Sequence, residues 1–91
     1  MTLSFPNASR SYDETRKAVR FAGHDGMFEI RFFVELDAIA GLDKKSSQAW
    51  SAEASFLSAF DTYRKAIYDV ASRVYSKGRR NIVTLTATDF R

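Results

Sequence analysis

The chain has 91 residues, of which 45% are hydrophobic and 27% are charged, and it carries a net charge of +3. This length allows one hydrophobic core and the composition is that of a folded protein, so we expect a single domain over residues 1–91 and exclude an intrinsically disordered chain. The absence of cysteine excludes disulfide bonds, thiolate chemistry and Cys-based zinc sites.

The distribution of charge and hydropathy narrows the function classes further. Residues 46–91 hold seven Lys/Arg and four Asp/Glu, whereas residues 1–45 hold seven of each, so the positive charge belongs to the C-terminal half. This bias is far weaker than the basic stripe of a dedicated nucleic-acid binder. No apolar run reaches the length of a bilayer span and no leader pattern is present, so we predict a cytoplasmic protein with no membrane partner.

The first 34 residues alternate in hydropathy, as strands do. The pattern predicts a short edge strand at Leu3, which Pro6 ends, followed by a polar connection over residues 7–12. Two longer alternating runs, residues 17–22 and 27–34, flank a loop that begins and ends with glycine, and this arrangement predicts an antiparallel hairpin. The residues expected to face the core are Val19, Phe21, Phe28, Ile30 and Phe32.

The remainder of the chain is predicted to be mainly helical. Residues 36–40 predict a short helix that Gly41 closes in a left-handed conformation. From residue 47 to residue 75, apolar positions recur at steps of three and four, which predicts one long amphipathic helix. Residues 77–78 stop it, and residues 81–88 predict a final strand. The helix residues expected to face the sheet are Phe56, Phe60, Ile67 and Val74.

These elements predict an α+β fold in the order β-β-β-α-α-β. The edge strand, the hairpin and the C-terminal strand form one mainly antiparallel sheet, and the long helix covers one face of it. Periodicity leaves the order of the outer strands open, because it does not specify where the helix returns the chain.

The length of the predicted helix has several explanations. Its 29 residues would span roughly 43 Å, whereas a compact chain of this size is only about 30 Å across. Either the helix breaks near residues 51–55, or it packs on a second subunit in a homodimer, or its extra apolar residues cover a wide core face. Those extra residues form a second stripe: Trp50, Ala54, Leu57, Tyr68 and Tyr75.

Several short patterns carry a resemblance to a known family. They are Phe5-Pro6, Tyr12-Asp13, Arg16, Val19, Phe21 and Gly26, the helix spacing Phe60, Arg64, Ile67 and Ala71, and the closing Val83-x-Leu85 with Asp89-Phe90. Through these patterns taken together, the chain resembles the bacterial family of domains of unknown function numbered 1488. It departs from that family at Glu35, where a hydroxyl cap is usual, and residues 43–50 form a longer connection. The resemblance implies a small α+β fold and a bacterial origin, but no activity.

The residues that could carry catalysis form no recognisable arrangement. His24 is the only histidine and has no second His or Cys to help it bind a metal, so we expect a solvated turn residue. The carboxylates are dispersed, and the four glycines form no phosphate-binding loop. We therefore predict a protein that is not an enzyme, with no catalytic residues, metal or cofactor.

The densest basic cluster is Lys77, Arg79 and Arg80, joined by Arg73 and Arg91. One interpretation is a site for an anion or a nucleic-acid backbone. The alternative is a solvated helix end whose cations offset the helix dipole. The sequence favours the alternative, because it indicates no exposed aromatic residues among these cations.

Arg64 lies next to the core-facing stripe of the long helix, so its guanidinium must be paired or reach solvent. The predicted partners are Asp13 and Asp89. A structural ion pair is our first interpretation and a ligand-binding arginine the second.

Three functions stay open at this point. The first is a non-enzymatic interaction or regulatory module that acts as a homodimer through the long helix. The second is a weak nucleic-acid binder that uses the basic helix end. The third is a small-molecule-binding domain with an aromatic pocket between the sheet and the helix.

Overall fold

The computed structural model describes residues 3–6, 9–42, 53–78 and 80–90, with residues 53 and 54 described by their backbone alone. These residues form five strands, three α-helices and a final 3-10 helix, which confirms the predicted α+β fold. The elements are β1 (Leu3–Ser4), β2 (Arg10–Asp13), β3 (Ala18–Asp25), β4 (Phe28–Glu35), α1 (Leu36–Leu42), α2 (Glu53–Thr62), α3 (Arg64–Lys77), β5 (Ile82–Leu85) and the 3-10 helix (Ala87–Phe90).

The hairpin of β3 and β4 forms the centre of the sheet, paired antiparallel over the full length of both strands. β1 and β2 pair one after the other with the free side of β3. β5 lies beside β4 and runs parallel to it. Because parallel neighbours need a crossover connection, the helices between β4 and β5 return the chain across one face of the sheet.

The hairpin turn is tighter than the predicted loop over residues 23–26. β3 continues to Asp25, and the turn consists of Gly26 and Met27. Gly26 has a φ of 62°, which suits glycine at the first of two central turn residues. Gly23 instead makes room for a neighbour, since a Cβ atom there would lie 2.9 Å from the Phe5 ring.

Two further local predictions were wrong. The polar connection over residues 7–12 contains most of β2, whose backbone pairs with β3 while Tyr12 packs on the core and its neighbours stay polar. Gly41 lies inside α1 and has no positive φ, so it does not form a left-handed cap. The predicted stop after Lys77 is confirmed, because α3 ends there and Gly78 caps it.

The long helix is divided at Tyr63. This residue has φ −105° and ψ 19°, outside the helical region, and it separates α2 from α3. Of the break predicted near residues 51–55, residues 53–55 lie within α2 and show no break, whereas residues 47–52 fall outside the described residues.

The core fills the space between the inner face of the sheet and α2 and α3. Phe32 and Phe60 are fully buried, and the Phe21 ring lies 5.2 Å from the Phe32 ring and 5.1 Å from the Phe60 ring, measured between centroids. Val74 is only half-buried, and Val70 and Ala71 are buried in α3 instead. Packed aromatic rings therefore occupy the centre of the described core, and the small-molecule pocket stays a prediction.

Candidate interaction surface at the hairpin end

The predicted basic cluster lies where α3 ends and β5 begins. Lys77 and Arg80 are exposed, and Arg79 and Arg91 lie outside the described residues. Arg73 donates a hydrogen bond to the backbone carbonyl of Asp89, so its guanidinium is engaged away from the cluster. The two described cations of the cluster are therefore Lys77 and Arg80.

The turn of the β3–β4 hairpin lies at the same end of the molecule. The Tyr75 hydroxyl, near the end of α3, donates a 2.8 Å hydrogen bond to Oδ2 of Asp25 beside the turn. The backbone N–H of Arg31 donates to the carbonyl of Asn81, which directly follows Arg80. These two bonds place the end of α3, which carries Lys77, and the start of β5, which follows Arg80, at the end of the sheet where the hairpin turns.

The hairpin turn exposes two large apolar side chains. Met27 is 98% exposed and Phe28 is 72% exposed. Phe28 was predicted to face the core, and the prediction was wrong for a geometric reason. Its position faces the same side as Ile30 and Phe32, but it is the first residue of β4, at the tip of the hairpin. We call Met27, Phe28, Lys77 and Arg80 the hairpin end.

A buried carboxyl group supports the hairpin end from below. Asp25 is 5% exposed and Tyr75 is 8% exposed. A buried carboxyl is costly unless it is hydrogen-bonded, and the Tyr75 hydroxyl supplies a bond. This pair was not predicted from the sequence, because the pattern predicts that Asp25 lies in the loop between two glycines.

Arg64 pairs with a carboxylate other than the two predicted. Its guanidinium donates to Oδ1 of Asp61 at 2.6 Å and to the Tyr68 hydroxyl at 2.6 Å. Asp61 also accepts two hydrogen bonds from Arg10 of β2, at 3.0 and 2.7 Å. The hydrogen bond from Arg10, and then that from Arg64, hold the pKa of Asp61 below its ordinary value against some desolvation.

The two predicted partners of Arg64 are engaged elsewhere. Oδ1 of Asp13 accepts a hydrogen bond from the backbone N–H of Arg16 in the turn after β2. Oδ2 of Asp89 accepts from the backbone N–H of Thr86 at the end of β5. Both carboxylates stabilise local turns, whereas Asp61 is one helical turn from Arg64 and reaches it across the break at Tyr63.

His24 lies within β3 and is half-buried, so it is not the solvated turn residue that was predicted. Ser4 donates a long hydrogen bond of 3.5 Å to its backbone carbonyl. Among the residues that the structure describes, no group of three or more His, Asp or Glu side chains is placed to hold a metal ion.

A shallow depression of about 350 Å³ lies over β2, β3 and β4, mainly on the outer face of the sheet, where Arg20, Ala22 and Arg31 alternate with core residues. It is lined by Ser9, Arg10, Ser11, Arg20, Phe21, Ala22, Glu29 and Arg31. Elsewhere on this face, the Arg16 guanidinium lies 4.3 Å from the centroid of the buried Phe33 ring.

Comparison with known proteins places the chain in one family. No described helix has both the length and the hydropathy to cross a bilayer. No curated protein and no solved structure matches the chain. A family model, described as a protein of unknown function (DUF1488), matches residues 3–86. Because this match covers nearly the whole chain, the protein belongs to the DUF1488 family.

Proposed function

We propose that the protein is a non-enzymatic interaction module that contacts its partner through the hairpin end. The observation that carries the proposal is the exposure of Phe28. It is 72% exposed, whereas Ile30 and Phe32 on the same face are at most 3% exposed. Burying one such side chain on a partner is worth about 1.5–3 kcal/mol, so Phe28 and Met27 are suitable anchors.

The cations of the hairpin end favour a partner with acidic groups around an apolar pocket. Lys77 and Arg80 are exposed and form no ion pair among the described residues. Cations at the rim of an interface mainly accelerate association with an acidic surface, while the apolar anchors set the rate of dissociation. The Tyr75–Asp25 hydrogen bond fixes the helix end relative to the turn, so both groups are presented together.

Site-specific photo-crosslinking in bacterial cells tests this proposal. A photoreactive phenylalanine analogue replaces Phe28 in one variant and Lys65, an exposed residue of α3 away from the hairpin end, in the matched control. We expect a discrete crosslinked partner from position 28 that is absent from position 65. The crosslink should weaken when Lys77→Ala and Arg80→Ala are added. Identical products from both positions would refute the hairpin end as the contact surface.

Nucleic acid is a second candidate partner, and a specific observation favours it. The sequence argued against this function because it indicated no exposed aromatic residue near the basic cluster, and Phe28 is one. An exposed aromatic face beside cations allows a base to stack while its phosphate is neutralised. Fluorescence anisotropy with a labelled single-stranded oligonucleotide should then show affinity that falls with salt, and Phe28→Ser should weaken it about tenfold. No binding at low salt would remove this candidate.

The homodimer stays a prediction, but two residues of the helix stripe, Tyr68 and Tyr75, no longer motivate it; Trp50 and the side chain of Ala54 lie outside the described residues. Tyr68 stacks on Phe5 within the chain, with ring centroids 4.0 Å apart, and Tyr75 bonds to Asp25. We propose β5 as the contact instead, because among the described residues it pairs on one side only and its Ile82 is 45% exposed. Light scattering at tens of micromolar should give a dimer that Ile82→Lys dissociates; a wild-type monomer would end this proposal.

A further inference from the structure

The arginines of the chain differ in whether they have a partner. Arg10 and Arg64 bind Asp61, Arg73 binds a backbone carbonyl, and Arg16 covers the Phe33 ring. Arg20 and Arg31 differ from these four. Both are exposed, and among the described residues neither guanidinium makes a hydrogen bond or an ion pair.

Arg80 is likewise exposed and forms no ion pair among the described residues, but it belongs to the hairpin end, whereas Arg20 and Arg31 line the depression on the outer face of the sheet. Arg20 is on β3 and Arg31 is on β4, where it lies directly opposite Ala22. Because Ala22 is small, it leaves a hollow between the two longer side chains. Ser11, opposite Arg20 on β2, adds a hydroxyl group to the same wall.

We propose that this depression binds a phosphate group of a small molecule or of a nucleic-acid backbone. Two guanidinium groups present several fixed N–H donors, which match the several oxygens of a phosphate. The volume of about 350 Å³ accommodates a phosphate with an attached organic group. This site lies on the outer face of the sheet and is separate from the hairpin end, so either can exist without the other.

Two other charged residues set the selectivity of the depression. The Arg10 guanidinium is neutralised by Asp61, so Arg10 adds little net charge. Glu29 is exposed on the same wall and repels an anion. The charge that remains comes from Arg20 and Arg31 against Glu29, which favours an anion of more than one negative charge over a single carboxylate.

Calorimetric titration of the full chain with inorganic phosphate, at constant ionic strength set with chloride, tests the proposal. We expect saturable binding that Arg20→Ala and Arg31→Ala each weaken by about tenfold. Lys65→Ala removes another exposed cation, from α3, and should leave the affinity unchanged. Glu29→Gln removes the repulsion and should strengthen binding. Circular dichroism verifies that each variant is folded, which the exposure of these side chains makes the expected result.

Competition identifies the source of the phosphate. An oligothymidylate that displaces inorganic phosphate from the wild type but not from Arg20→Ala identifies a nucleic-acid backbone, and no displacement identifies a free phosphate ester. Two results would overturn the proposal. The first is that the wild type fails to bind phosphate saturably. The second is that Lys65→Ala loses as much affinity as the two arginine variants.

Discussion

The hydrogen bond between Tyr75 and Asp25 predicts how the free energy of unfolding changes when one partner or both partners are removed. Tyr75→Phe keeps the ring in place and removes the hydroxyl that donates at 2.8 Å to the buried carboxyl group. The loss of this hydrogen bond leaves a buried polar group unsatisfied, which costs about 1–3 kcal/mol. We expect the free energy of unfolding to fall by about 2 kcal/mol, which lowers the Tm by roughly 8–16 °C for a domain of this size.

A double-mutant cycle separates this bond from the other contacts of the two residues. Asp25→Val suits a strand and removes the carboxyl group that accepts from the Tyr75 hydroxyl, so we expect a similar loss. In the double variant both polar groups are gone, and removing both partners is close to neutral. The double variant should therefore be more stable than either single variant in urea denaturation. Additive losses of about 4 kcal/mol would refute the reasoning, because they would mean that each side chain contributes independently.

Four further predictions concern single positions. Phe28→Ser, at the same end of the molecule but 72% exposed, should change the free energy of unfolding by less than about 0.5 kcal/mol in the same assay. Gly23→Ala should lower it by about 1–3 kcal/mol, because the added methyl group meets the Phe5 ring at 2.9 Å. Lys17 has a φ of 51°, so Lys17→Gly relieves strain and should raise the Tm in a thermal scan. The pKa of Asp61 is lowered on folding, so its ionised carboxylate stabilises the protein at pH values above the ordinary carboxyl pKa, and this stabilisation is lost as the pH falls through the pKa of the folded state. Asp61→Asn should therefore make the free energy of unfolding depend less on pH in the acid range.

The sequence predicts the elements that bury a periodic apolar face. The period of two in β4 and the steps of three and four in α2 and α3 both arise from core packing, so Ile30, Phe32, Phe60 and Ile67 are buried as expected. β2 could not be predicted in this way, because its residues are mostly polar and its pairing with β3 is made by the backbone. Strand order was open for the same reason, since the position of β5 depends on how the helices cross the sheet.

The candidate surface was predicted in part. The sequence predicts that Lys77 lies at the end of the helix. The exposure of Phe28, in contrast, depends on which elements pack over the tip of the hairpin. That is a tertiary relation that alternation along one strand does not contain. The dipeptide Gly26-Met27 is the signal that could have predicted the position of Phe28. Glycine at the first position of a two-residue turn shifts the end of β3 to Asp25 and so places Phe28 directly after the turn.

The helix break and the arginines of the chain are connected through Asp61. The break at Tyr63 makes Arg64 the first residue of α3 and leaves Asp61 in the last turn of α2, so their ion pair joins the two helices. Arg10 binds the same carboxylate and ties β2 to this junction. An arginine held in this way must break a structural contact before it can bind a ligand. We therefore infer that Arg64 acts as a structural clamp, and that ligand recognition belongs to arginines that folding leaves without a carboxylate, such as Arg20 and Arg31.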